Sequence, residues 1–259
     1  MTGLIHPTAI IDPKAHLDTQ VSVGPFSIIG PEVEIAAGTR VGPHVVLKGP
    51  MRLGRDNQIF QFSTLGEDCQ DKKYRGEPTR LEIGDGNIFR ESCTVHRGTV
   101  QDQGMTRIGD RNLFMVNTHI AHDCQIGSDN IAANNVGIAG HVHIGDHVIL
   151  GGMVGIHQFV RIGSFAMAGG GAILFKDVPA YVMVSGNPAV PRGMNFEGMR
   201  RRGWTSETIA ALRKAYRMVY RQAATLEQAM PELEALALDF PEVQLFITTL
   251  QESARGIAR

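Results

Sequence analysis

The 259-residue sequence has little cysteine, no long apolar run and almost no net charge. Its three cysteines, Cys69, Cys93 and Cys124, form no C-x-x-C pair. That argues against a disulfide framework and points to a reducing, cytoplasmic setting. No apolar stretch approaches the ~18 residues that a membrane span needs, so no transmembrane segment is expected. The first residues, MTGLIHPTAIIDPKA, lack a basic segment followed by an apolar one and do not read as a secretory signal. A formal net charge of −1 argues against a general nucleic-acid binder. Histidine is absent after His157, and only Gly256 follows Gly203. The end of the chain therefore differs in kind from the rest.

What is present is a repeat. Aliphatic or other apolar residues recur every six positions from Ile5 to Leu65, again at Ile83, Phe89 and Val95, and again from Ile108 to Leu174, 26 positions in all. Glycine often follows directly, as at Gly24, Gly42, Gly109, Gly127 and Gly145. A helix cannot use this period, because at ~100° per residue six residues carry a side chain ~240° round the axis. A strand can, because six is a multiple of two. The residue two before each apolar position should then point the same way, and Val21, Val33, Val45, Val136, Val142, Val148, Val154 and Val160 occupy that place. Asn112 and Asn130 do so too, and stacked asparagines can bond along a column. The economical fold is a mainly β parallel β-helix over residues 1–190, with three hexads closing an eighteen-residue triangular coil. Glycine is expected to supply the corner conformations. Two polar stretches, GEDCQDKKYRGEPTRLE and HRGTVQDQGMTR, break the rhythm and read as loops leaving a corner, where binding residues often sit.

Residues 191–259 read as a helical domain. TSETIAALRKAYRMVYRQ has helical spacing with Thr205 or Ser206 as N-cap. Thr225 and Gln228 are placed as a capping box, and Pro241 is placed to open a last helix.

The coil of eighteen residues sets columns by arithmetic: His122 stacks beneath Gly140 and then Gln158, and Ala121 beneath Ala139 and then His157. The middle coils thus gather His119, His122, His141, His157 and Gln158 near one edge. An imidazole can take a proton near neutral pH, and a carboxylate can orient it. Asp123 follows His122 directly, so on a regular strand the two side chains diverge, and only a corner would bring them together. Gly140 leaves room for a ligand at its N–H, an oxyanion donor. This suits hydroxyl activation and acyl transfer. The bland alternative is a set of solvated corner histidines. A zinc site using His119 and His122 is a third, as in a γ-class carbonic anhydrase. Cys93 and Cys124 fall on inward positions and read as buried thiols.

An ordered set of motifs spans essentially the whole chain: IHPTAIIDPKA at Ile5–Ala15, GEPTRLEIGD at Gly76–Asp85, HRGT at His96–Thr99, HIAHDC at His119–Cys124, LGGMVGIHQF at Leu150–Phe159, DVPAYV at Asp177–Val182 and EGMRRRG at Glu197–Gly203. In these motifs the sequence resembles the UDP-N-acetylglucosamine O-acyltransferase family of lipid A synthesis. The resemblance implies a left-handed parallel β-helix, where the usual crossover is right-handed, assembled as a homotrimer with sites between subunits. It implies transfer of an (R)-3-hydroxyacyl group from acyl carrier protein, carried on its 4'-phosphopantetheine, to the 3-hydroxyl of UDP-N-acetylglucosamine, with neither metal nor cofactor. By resemblance His122 is the catalytic base, Asp123 supports it and Gly140 is the oxyanion donor. Substrate contacts fall on Gln70, Asp71, Lys73, His96, His119, His141, His157, Gln158, Asn195, Glu197, Arg201 and Arg202. The acyl chain is expected near Met167 and Gly170. Residues 192–221 hold eight Lys or Arg against two acids, a basic patch that fits an acidic carrier protein. Other hexapeptide acyltransferases, including the N-acyltransferase that acts later in the same pathway, share the hexads, but that family carries an additional N-terminal domain.

Overall fold

The computed structural model describes residues 4–222 and 225–259. The chain winds as a left-handed parallel β-helix followed by helices. Strands β1 (Ile10–Ile11), β2 (His16–Leu17) and β3 (Ser22–Val23) begin three faces, and every third strand thereafter joins the same face. The first face stacks nine strands, β1 to β25 (Ile173–Leu174), and includes β10 (Thr64–Glu67), β13 (Thr94–His96), β16 (His119–Ile120), β19 (Gly137–Ile138) and β22 (Gly155–Ile156). The second face has eight strands, among them β11 (Arg80–Ile83) and β14 (Met105–Ile108). The third face has ten and ends in an antiparallel pair, β26 (Val182–Ser185) and β27 (Val190–Met194).

The hexad residues lie in register, Ile120 on Ile138 and Ile138 on Ile156, and all three point into the prism at 5 % exposure or less. The valines two positions earlier are buried with them. On the third face that earlier position is a polar column. Asn57 Oδ1 accepts the Asn87 N–H, Asn87 Oδ1 accepts the Asn112 N–H, and Asn112 Oδ1 accepts the Asn130 N–H, each at 2.8–2.9 Å. Inside a dry prism these bonds are what make the buried amides tolerable.

The corners differ from the glycine expectation. The left-handed conformation falls mainly on other residues, among them Phe26, His44, Phe62, Asn117, Asp123, His141 and Phe159, with φ between 54° and 65°. The hexad glycines answer a different demand. A Cβ on Gly109 would stand 2.6 Å from Ser128 Oγ and 2.8 Å from Gly127 O, so the next coil itself requires glycine there. The two polar insertions leave between β10 and β11 and between β13 and β14, and strand pairing continues further into each than the hexads suggest.

Four helices follow: α1 (Phe196–Arg201), α2 (Ser206–Tyr220), α3 (Leu226–Asp239) and α4 (Glu242–Gln251). Thr205 caps α2, and Thr225 with Gln228 forms the capping box of α3. Helix α4 closes the end of the prism: Thr249 Oγ1 accepts the Ala180 N–H at 3.0 Å, and the Tyr181 hydroxyl donates to Glu242 O at 3.0 Å.

Candidate active site

His122 and Asp123 occupy the corner between the first and second faces. Asp123 has φ 58°, and this left-handed step turns its carboxylate back toward the preceding side chain. Two neighbours that would diverge on a strand therefore meet, with His122 Nδ1 2.9 Å from Asp123 Oδ2. The Asp123 N–H donates to Thr106 Oγ1 at 2.8 Å, which secures the turned backbone. Burial pushes the Asp123 carboxyl up, but hydrogen bonds from His122 and Thr99 outweigh it and hold the group below the ordinary carboxylate value. An ionised carboxylate can only accept, so neutral His122 carries its proton on Nδ1 and leaves Nε2 bare. Gly140 lies against that side of the ring: a Cβ there would be 2.6 Å from both Nε2 and Cε1. No acceptor for the Gly140 N–H is found among the described residues.

His141 sits one coil above Asp123 at the same corner. Its Nδ1 is 2.8 Å from Asp102 Oδ2 and 3.9 Å from Asp123 Oδ2, and its ring stacks on Phe159 at 4.3 Å. It meets His122 edge-on, ring centres 4.8 Å apart. His119 is held by Thr94 Oγ1 at 2.8 Å and meets buried His96 edge-on at 5.1 Å. Burial, and then the charge of His119, hold the His96 imidazole down to about 4. Burial, and then His122, also lower His119. His122, Asp123 and His141 offer atoms within 4.8 Å of one another, the spacing of a metal site. Both Nδ1 atoms are turned to carboxylates, and the zinc pair His119 and His122 expected as the alternative is divided between Thr94 and Asp123.

These groups border a cavity of about 670 Å³ on the first face. Gln70 and Asp71 from the first loop line it, with His119, His122, Gly140, His157 and Gln158. Lys73 stays in the same loop with its N–H on Asp71 Oδ1 at 2.9 Å. Asp123, His96 and His141 stand behind the lining histidines rather than in the wall. Six further predicted residues, Met167, Gly170, Asn195, Glu197, Arg201 and Arg202, are not brought to this cavity within one chain. Met167 faces outward on the third face, with Gly170 at the next corner. Asn195 caps α1 through Oδ1 and donates to Phe165 O at 3.3 Å, Glu197 pairs with Arg200 and Arg201, and Arg202 lies over the Phe165 ring at 5.5 Å. Two contributors escaped the sequence reading. Phe175 lines the cavity beside His157, and Thr99 grips Asp123. Thr99 closes the HRGT motif, but nothing in its spacing signals a role.

The geometry is that of a buried carboxylate–imidazole pair set against a bare glycine at the edge of a cavity. Known proteins resemble the chain over nearly its full length. A protein named acyl-[acyl-carrier-protein]–UDP-N-acetylglucosamine O-acyltransferase from Psychrobacter is 60 % identical across 98 % of this chain and 99 % of its own. The chain belongs to the UDP-N-acetylglucosamine O-acyltransferase family. A relative of the same name from Tolumonas auensis is 62 % identical, covering 90 % of this chain and 89 % of that one. The crystal structure of the UDP-N-acetylglucosamine O-acyltransferase from Moraxella catarrhalis superposes with a TM-score of 0.98 at 53 % identity, over 99 % of this chain and 100 % of that chain. The family pattern described as "Udp N-acetylglucosamine O-acyltransferase; Domain 2" matches residues 177–258.

Proposed function

We propose that the protein transfers an (R)-3-hydroxyacyl group from acyl carrier protein to the 3-hydroxyl of UDP-N-acetylglucosamine, the first step of lipid A biosynthesis. The observation that carries the mechanism is the His122 ring, bound at Nδ1 by Asp123 and presented at Nε2 beside Gly140. Nε2 takes the sugar hydroxyl proton as the oxygen attacks the thioester carbonyl. The Gly140 N–H receives the oxyanion. Collapse breaks the C–S bond, and the departing thiolate of the phosphopantetheine arm takes the proton from His122. Atoms and charge balance without a metal or cofactor. Gln70, Asp71 and Lys73 hold the nucleotide sugar from the first loop.

The working unit is a homotrimer. Ile10 and Ile28 on the first face and Ile131 on the third are 64, 43 and 37 % exposed, as are Phe26, Phe62 and Met153 along the corner between those faces, at 58–68 %. Apolar surface on that scale calls for a partner, and another copy would bring Met167, Gly170, Asn195, Glu197, Arg201 and Arg202 to the first-face cavity. Arg213, Arg217 and Arg221 on α2 and its cap suit an acidic carrier protein. Free Cys69, Cys93 and Cys124 suit the cytoplasm, and no helix is long and apolar enough to cross a membrane among the described residues.

Purified protein is mixed with the nucleotide sugar and 3-hydroxyacyl carrier proteins of several chain lengths, and the ester is read by mass spectrometry. Product at one length or more is expected; no ester at any length defeats the reading. His122→Ala should lower turnover by roughly 10²–10⁴-fold with the melting transition kept. Near-normal turnover would refute the base assignment.

A further inference from the structure

The second insertion crosses the back of the His122–Asp123 pair. It departs after β13 and returns at β14, and its backbone folds onto Thr99, whose carbonyl accepts the Asp102 and Gly104 N–H groups at 3.3 and 3.0 Å. Thr99 itself is 2 % exposed and turned to Asp123. Its N–H reaches both carboxylate oxygens, at 2.9 and 3.0 Å, and its hydroxyl donates to Oδ2 at 2.6 Å. Oδ2 is also the oxygen that holds His122 Nδ1. Gly98 makes the approach possible, since a Cβ there would fall 2.1 Å from Met105 N and 2.7 Å from Asp123 Oδ1. A carboxylate held by one imidazole alone can rotate about its terminal torsion, which is broad. Held by three donors, it cannot turn away from Nδ1.

We propose that Thr99 is a positioning residue of the transfer reaction, clamping Asp123 through its N–H and hydroxyl so that His122 keeps the one tautomer that leaves Nε2 free to take a proton. This rests on the reading of His122 as the base. The clamp has an electrostatic side as well. The hydroxyl drains charge from the carboxylate and so limits how strongly Asp123 stabilises the imidazolium. The other ionisable groups facing the pair are His141 and, through it, Asp102; His119 and His96 on adjoining strands; Cys69 of the first loop; and Cys124 next in the chain. Among the described residues none of these bonds to the Thr99 side chain, whose hydroxyl donates to Asp123.

The test compares Thr99→Val, Thr99→Cys and Thr99→Ser with the unaltered enzyme and with His122→Ala. Valine matches threonine in shape and removes the hydroxyl. Thr99→Val should lower kcat by roughly 10- to 100-fold, the size of one lost hydrogen bond to a charged group, with KM for either substrate within about 2-fold. The acid limb of the kcat/KM profile should move to higher pH, because the unclamped carboxylate favours imidazolium. Thr99→Ser should restore both the rate and the limb, and Thr99→Cys, a weaker donor of similar size, should fall between. Unchanged kcat with an unmoved limb in Thr99→Val overturns the proposal. So does a lowered kcat with an unmoved limb, which marks a merely structural residue. Should Thr99→Val fail to fold, Thr99→Cys decides by the same two readouts. Full activity in His122→Ala would remove the base reading and this proposal with it, whereas an inactive His122→Ala beside an unaffected Thr99→Val would remove this proposal alone.

Discussion

His96, His119 and His122 share one stretch of the prism, and burial separates their chemistry. His96 is the most deeply placed, and its imidazole is held down to about 4, so it stays neutral beside the reacting pair at neutral pH. His119 is lowered by the same cause, as is His143 on the second face. Two neutral rings next to His122 spare it a like charge when it becomes an imidazolium. The cost appears in acid. An unfolded histidine titrates near ~6.5, so between that value and about 4 the unfolded chain binds a proton that folded His96 refuses. Stability rises with pH where the unfolded state binds more protons. The His96 contribution is therefore complete above the unfolded value and declines as pH falls toward the folded one. Melting temperature should drop by several degrees between pH 7.5 and pH 4.5, and His96→Gln should show a shallower drop relative to its own value at pH 7.5. Equal slopes for the two proteins would show that the buried imidazole is not the source.

The strands are two to five residues long, and none would persist alone; the column is the cooperative element. Asn87 shows how a column holds. Its N–H donates to Asn57 Oδ1, its own Oδ1 accepts both the N–H and Nδ2 of Asn112, and its Nδ2 donates to Gly109 O at 2.9 Å. Valine fills the equivalent place in later coils, so Asn87→Val is acceptable in shape. It nevertheless strands the Asn112 donors and the Gly109 carbonyl in a dry interior, at about 1–3 kcal/mol for each unsatisfied group. A fall in the melting transition of several degrees is expected, with coil geometry kept by circular dichroism; an unchanged transition would show that the ladder contributes nothing. Such columns were legible in the sequence. A period of six shared by Ile120, Ile138 and Ile156 leaves a strand as the only regular solution, and Asn112 with Asn130 announced the polar column eighteen residues apart. What the period could not disclose lies where it stops. The left-handed turn at Asp123 is a backbone choice made in common by asparagine, phenylalanine and histidine corners, with no residue code for it. The Thr99 contact depends on a loop with no register, so only the folded chain brings it against Asp123.

At the scale of the molecule, the candidate site is divided. The His122 corner joins the first and second faces, whereas Phe165, which Asn195 and Arg202 contact, turns the corner between the second and third. A triangular prism keeps these corners apart, and no side chain is long enough to span a face. If the third face of one copy lies against the first face of the next, each site in the trimer takes His122 from one subunit and Arg201, Arg202 and Met167 from its neighbour. Closed cyclic symmetry then makes every subunit serve once in each role. Two crippled proteins follow from this arrangement: His122→Ala, and a double variant carrying Arg201→Ala and Arg202→Ala. Each alone should form trimers with little activity. When the two chains are co-expressed and assort at random, about one interface in four pairs an intact His122 with intact arginines, so roughly a quarter of normal turnover should return. Titrating the ratio of the two chains should trace the product of their fractions, with a maximum at equal amounts. Mixed trimers, verified by differential tags, that remain as inactive as their parents would mean that His122 and the arginines do not meet across subunits, and the exposed apolar faces would need another occupant.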